Sequence, residues 1–176
     1  MSIIYTVGHS TRAIEDFIEI LRNYFVEIVV DVRRWPTSKR HPHYCMNCLK
    51  QNLLRAGIQY RWMGENLGGY VKNGLGDESP NKGWKSRGFR NYADYAMTQR
   101  FRAGLEEVAS IGYANTVACM CAERFYWRCH RRIISDYLTL RGFKVIHIVD
   151  SGMSIEHALP EYAVATGDLV LYRANG

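Results

Sequence analysis

Apolar residues along the chain follow two alternating rhythms. Short compact runs at 3–7 (IIYTV), 27–32 (EIVVDV), 58–63 (IQYRWM), 116–121 (TVACMC) and 144–149 (KVIHIV) have the length and β-branched content of strands. Between them, apolar residues recur at helical spacing. Ile14, Phe17, Ile18, Leu21 and Phe25 mark a helix over 11–25, and further helices are predicted over 44–57, 92–111 and 129–142. Ser10 or Thr11 is placed to cap the first of these, and Gly57 to end the second. The pattern also predicts a short helix over 154–163 and a last strand over 169–172.

Strand–helix alternation of this kind predicts a single α/β domain spanning 1–176. Its sheet should be mostly parallel, with helices on both faces. One stretch breaks the rhythm. Residues 68–90 hold six glycines, one proline and no clear period. A structureless loop of that length in a compact domain is expected to be a lid or binding loop.

Ligands of an open α/β sheet bind beyond the carboxyl ends of the strands. Titratable and glycine residues gather there. His9 and Ser10 follow the first strand. Asp31, Arg33 and Arg34 follow the second, and Gly68 and Gly69 lie beyond the third. Cys121 and Glu123 follow the fourth, and Asp150 the fifth. Each has a bland reading alone: a cap for Ser10, a buried amide's acceptor in Asp31, a core histidine in His9, solvated arginines. The case for a site is their convergence.

The blocks TVGHSTR, DVRRWPTS, NLGG and CAE followed by CHRRII occur in this order across nearly the whole chain. They resemble the signature blocks of the bacterial and archaeal family called domain of unknown function 488. The resemblance implies a single α/β domain and no established activity. It places His9, Ser10, Asp31, Arg33, Gly68, Gly69, Glu123, Cys129, His130 and Arg131 on the family's motifs.

Three chemistries compete in the stretch 119–132 (CMCAERFYWRCHRR), which holds three cysteines, one glutamate, one histidine and four arginines. Cys119 and Cys121 lie two apart on a strand and point the same way, a poor start for a tetrahedral site. Cys45 and Cys48 have better ligand spacing, but complete a set only if the fold brings them to Cys129 and His130. The expectation is therefore no metal and no cofactor. A reactive thiol is the second chemistry. Cys129 begins a helix among Arg128, His130, Arg131 and Arg132, which favours a thiolate. Its rival is a brace between Cys121 and Cys129. The third chemistry has Glu123 as general acid or base, His130, His9 and Asp31 as helpers, and Arg33, Arg131, Ser10, Gly68 and Gly69 holding an anion. Its rival is a structural Glu123–arginine ion pair.

Charge narrows the partners. The net charge is +6, and residues 33–62 carry seven Lys or Arg with no acid. This points to an anionic small molecule or nucleic acid. Aromatic residues interleave with the bases, as stacking on bases requires. No apolar run is long enough to span a membrane. The start, MSIIYTVGHS, reads as a strand rather than a leader, and five cysteines fit a cytoplasmic setting. These readings favour a hydrolase or transferase on a phosphate-bearing or nucleic-acid substrate. The alternative is a non-catalytic nucleic-acid or nucleotide binding module. Oligomeric state is left open by the sequence.

Overall fold

Strand β1 (Ile3–Gly8) runs through the interior of a six-stranded sheet in a computed structural model that describes residues 2–174. Strands β2 (Ile28–Asp31), β3 (Gln59–Trp62), β4 (Val117–Cys121) and β5 (Lys144–Asp150) are parallel to it. Strand β6 (Met153–Glu156) pairs antiparallel with β5, and the order is β3-β2-β4-β1-β5-β6. Strands β7 (Ala163–Thr166) and β8 (Leu169–Tyr172) form a separate antiparallel pair. A mixed α/β domain with a mostly parallel sheet is thus what the chain forms.

The side-chain alternation of β4 shows how the two faces divide. Ala118 and Met120 pack with Phe17, Ile20 and Leu21 of α1 (Ile14–Asn23) and with Leu49 and Leu53 of α2 (Met46–Arg55). Val117, Cys119 and Cys121 face the other way. They join Leu67 of α3 (Gly64–Leu67) and residues of α4 (Arg87–Ala96), α5 (Gln99–Ala114) and α6 (Arg131–Leu140). Both faces of β4 are buried throughout, as a central parallel strand requires. A fully buried Phe17 or Leu105 contributes about 2 kcal/mol. Among the described residues no helix is long and apolar enough to cross a membrane.

Three local expectations are corrected, and one strand is new. The helix expected over 92–111 is two helices. The chain turns extended at Thr98, whose side chain accepts the Phe101 N–H and starts α5 afresh. The helix expected over 154–163 is instead β6 followed by irregular chain. Pairing with the otherwise open edge of β5 outweighs local helix preference there. The strand β7 had no expectation at all. Ser10 does not cap α1: the N-cap is Ala13, and no side chain supplies the bond.

Residues 68–86 are irregular apart from a 3-10 turn at Gly76–Glu78, and α4 begins within the expected loop. The segment is pinned. The Asp94 carboxylate accepts from the Leu75 N–H, the Ser79 hydroxyl and the Asn81 amide, at 2.8, 2.6 and 2.8 Å. The Asn91 amide donates to the carbonyls of Val71 and Lys72. Buried Trp84 packs on Phe89 and Tyr172. The segment expected as a lid or binding loop is thus tethered in place and walls one side of a cavity.

Helix α1 leaves β1 toward one face, and α6 leaves β4 toward the other. The neighbouring carboxyl ends of β1, β2 and β4 therefore open a crevice, the usual position of a ligand in such sheets.

Candidate active site at the carboxyl ends of the central strands

Two cavities flank the carboxyl end of β4. The larger, about 890 Å³, lies between the chain after β2 (Arg33, Arg34, Trp35), the wall (Gly69, Tyr70, Phe89) and the end of β4 with Cys129 and His130. The smaller, about 390 Å³, lies between His9 and Ser10, the basic turn Lys39–Arg40–His41 and Glu123–Arg124. Glu123 borders both.

Asp31 and Arg33 are buried against each other. Arg33 Nε donates to Asp31 Oδ1 at 2.9 Å and Nη2 donates to Oδ2 at 2.6 Å. Tyr60 donates to Oδ2 at 2.7 Å, and Arg33 Nη1 donates to the Tyr44 carbonyl at 2.9 Å. With side-chain exposures of 4% and 0%, this pair holds the loop after β2 in shape. Its groups are already satisfied, which leaves Asp31 little freedom to accept a substrate proton and Arg33 little to grip an anion. Partly exposed Arg34 lines the cavity beside Arg33.

His9 is held neutral. Nδ1–H donates to the Ser10 carbonyl at 2.9 Å, and Nε2 faces Arg33 Nη1 at 3.3 Å. Burial first, then the Arg33 charge, lowers its pKa to about 3. Ser10 adopts a left-handed backbone (φ 53°) at the rim of the smaller cavity. Gly8 lets this turn approach β4: a Cβ there would lie 1.9 Å from the Glu123 carbonyl oxygen.

Arg131 is the largest fully buried side chain, at 1% exposure. Nη2 donates to the Glu123 carbonyl, Nη1 to Thr6 Oγ1 at 3.3 Å and Nε to Cys129 Sγ at 3.4 Å. The expected anion holder therefore does not reach the cavity. Its contacts continue as a buried chain. Thr6 Oγ1 meets His147 Nδ1 at 2.7 Å, and His147 Nε2 meets His157 Nδ1 at 2.8 Å. His157 Nε2 meets Asp136 Oδ1 at 2.7 Å, and Tyr172 donates to Asp136 Oδ2. None of Thr6, His147, His157 or Asp136 was singled out from sequence.

Cys121, Cys129 and His130 do come together. Their two Sγ atoms and a ring nitrogen of His130 all lie within 4.8 Å of one another. His130 Nε2–H donates to the Val32 carbonyl at 3.0 Å, and Nδ1 pairs with Cys129 Sγ at 3.6 Å. Burial alone would raise the Cys129 thiol. The bond with Cys121 and the neighbouring His130 and Arg131 outweigh it and set Cys129 below its ordinary value. Cys121, bonded to Cys129 and buried, is raised. Cys129 is thus the more acidic of the two thiols. Cys119 points to the same face but is fully buried, and burial lifts its thiol to about 12. Cys45 and Cys48 sit at the start of α2, outside this cluster.

The Glu123 carboxylate accepts the Phe125 N–H at 3.3 Å. Its carbonyl, not its carboxylate, takes Arg131, so the structural ion pair considered from sequence is replaced by a backbone contact. Gly68 and Gly69 serve close packing. A Cβ on Gly68 would lie 2.3 Å from the Gly64 carbonyl, and one on Gly69 would lie 3.0 Å from His130 Nδ1. Trp35 and Tyr70 stand at the mouth with ring centres 5.4 Å apart, and Tyr70 is 80% exposed in a left-handed conformation.

Residues 13–138 match the family model described as Domain of unknown function DUF488. The chain belongs to this family. No curated protein and no solved structure matches it. The DUF488 match takes in Asp31, Arg33, Gly68, Gly69, Glu123, Cys121, Cys129, His130 and Arg131, and leaves out His9 and Ser10.

Proposed function

We propose that this DUF488 protein is a small cytoplasmic enzyme, a hydrolase or transferase, acting on a phosphate-bearing substrate such as a nucleotide or a nucleic-acid end in the larger cavity. One observation carries the reading. Two cysteine sulfurs and an imidazole lie at the floor of a cavity that Glu123 borders and Arg34 and Arg128 line. Proton-transferring and nucleophilic groups at such a floor serve chemistry rather than attachment. Arg34 and Arg128 supply the cations for a phosphate, and Trp35, Tyr70 and Phe89 supply ring surfaces for a base. Glu123 is the general acid or base. Five free cysteines fit a reducing compartment.

The test is turnover of a panel of phosphate esters, nucleotides and short single-stranded oligonucleotides. Glu123→Gln is expected to abolish turnover with the melting temperature unchanged. Full turnover by that variant removes Glu123 from the mechanism. The exposed aromatics and positive charge favour a second reading, a non-catalytic nucleic-acid binder. That reading requires salt-sensitive binding that Arg34→Ala weakens and Glu123→Gln does not.

A further inference from the structure

We propose that Cys121, Cys129 and His130 bind a zinc ion through Sγ, Sγ and Nδ1, with its fourth coordination position open to the larger cavity. The site was not expected from sequence, because Cys119 and Cys121 were considered together and Cys45 with Cys48. The fold selects a different set. Cys121 ends β4, the turn 122–128 folds back, and Cys129 and His130 lead into α6.

Four features of the geometry support the ion. Tetrahedral zinc with bonds of about 2.3 Å to sulfur and about 2.1 Å to nitrogen places its ligand atoms roughly 3.5–3.8 Å apart. Cys129 Sγ and His130 Nδ1 already stand at 3.6 Å, and no pair in the set exceeds 4.8 Å. Closing on an ion thus needs a contraction of about 1 Å at the longest edge. Secondly, the Val32 carbonyl holds His130 by Nε2–H, so Nδ1 is the nitrogen turned toward the sulfurs; ligating histidines are oriented by such a partner. Thirdly, the backbone N–H and Nε of Arg131 both point at Cys129 Sγ, at 3.5 and 3.4 Å, the surroundings of an anionic sulfur. Fourthly, two thiolates and an imidazole are soft ligands, which select zinc over magnesium or calcium.

Three protein ligands, all lining one cavity, leave a position for water or substrate, the pattern of a catalytic rather than a closed structural site. Zinc there would lower the pKa of a bound water and polarise an oxygen of the substrate. Two thiolates balance the ion's charge, and the nearby Arg131 leaves the centre net positive, which suits an anionic substrate. Use in turnover rests on the enzyme reading above; metal binding does not.

The experiment therefore reads binding without substrate. Protein purified without chelator is analysed by plasma emission, then stripped and titrated with zinc and with cobalt. The expected result is one zinc per chain, with intense visible bands and a thiolate-to-cobalt charge-transfer band on cobalt loading. Cys121→Ser, Cys129→Ser and His130→Ala are each expected to lose these signals, and Cys48→Ser to keep them. Zinc is also expected to raise the melting temperature of the stripped wild type and not that of His130→Ala, a comparison that survives if a cysteine variant fails to fold. Substoichiometric zinc without cobalt bands in the wild type overturns the proposal. So does a Cys121–Cys129 disulfide in the protein purified under reducing conditions, or metal retained by all three variants. Stoichiometric zinc with no turnover of any panel substrate would retain the metal site and remove the enzyme reading.

Discussion

The two ring nitrogens of His9 meet opposite demands: the Ser10 carbonyl needs a proton at Nδ1, and the Arg33 guanidinium needs none at Nε2. Burial first, and then the Arg33 charge, lower its pKa on folding from 6.5 to about 3, against the Ser10 bond, which raises it. Above pH 6.5 the histidine is neutral in both states and contributes no pH dependence. As pH falls from 6.5 toward 3 the unfolded chain takes up a proton that the folded one refuses. Stability then drops by about 1.4 kcal/mol per pH unit for this group. Buried His147, lowered by burial and by His157, acts in the same direction. Urea melts at neutral and mildly acid pH are expected to show a shallower acid loss in His9→Gln than in the wild type; equal slopes would reject the assignment. Asp31 gives a second prediction at this scale. Asp31→Ala leaves Arg33 charged and buried, and is expected to cost about 3–5 kcal/mol in a denaturant titration. Sequence reading found Asp31 and Arg33 but not their mutual burial, because the direction of side chains in a loop after a strand is not periodic. The adjacent Arg34 took the exposed place for that reason.

Elements were legible where burial imposes a period. Strands β1, β2, β4 and β5 and helices α1, α2 and α6 follow their apolar patterns, since each has a face that only one arrangement can cover. The break at Thr98 was hidden because α4 and α5 both bury apolar residues on the same sheet face, so one rhythm runs through both. β6 was hidden because its four residues are all exposed and carry no alternation. The Cys121–Cys129–His130 cluster was hidden in another way. It depends on the turn 122–128 closing, and that turn is seated by the Tyr126 ring stacked on His147 at 3.5 Å, a contact between distant residues. The wall over the cavity yields a prediction for its element. Asp94 gathers three donors from 75–81, so Asp94→Ala is expected to free that segment. Limited proteolysis should then cut first within 72–86, with the remaining fragments still folded. Unchanged cleavage would show that Trp84 packing holds the wall by itself.

For the whole molecule, the family match and the folding unit have different limits. Residues 13–138 omit β1 and β5, yet β1 pairs with β4 over five positions and lies inside the sheet. A 13–138 fragment would keep only β3, β2 and β4 of the sheet and would expose the β4 edge and the apolar faces that β1 and β5 extend. It is expected to lack a cooperative thermal transition by circular dichroism, while 2–174 melts in one step. A cooperative fragment would mean that β2, β3 and β4 suffice as a core. Net charge of +6 is a long-range property of the same object, and any anionic ligand should bind more weakly as salt rises.

The buried chain from Arg131 through Thr6, His147 and His157 leaves α6, crosses β1 and β5, and returns to α6 at Asp136. It acts as a key in a lock. Apolar ridges tolerate a small slide of a helix along a sheet, but directional bonds at both ends of this circuit do not. A shift of one residue, about 1.5 Å, would break several of them together. The two residues just before α6 are Cys129 and His130. Their position over the cavity floor is therefore set mechanically, by a register fixed along the buried side of the helix.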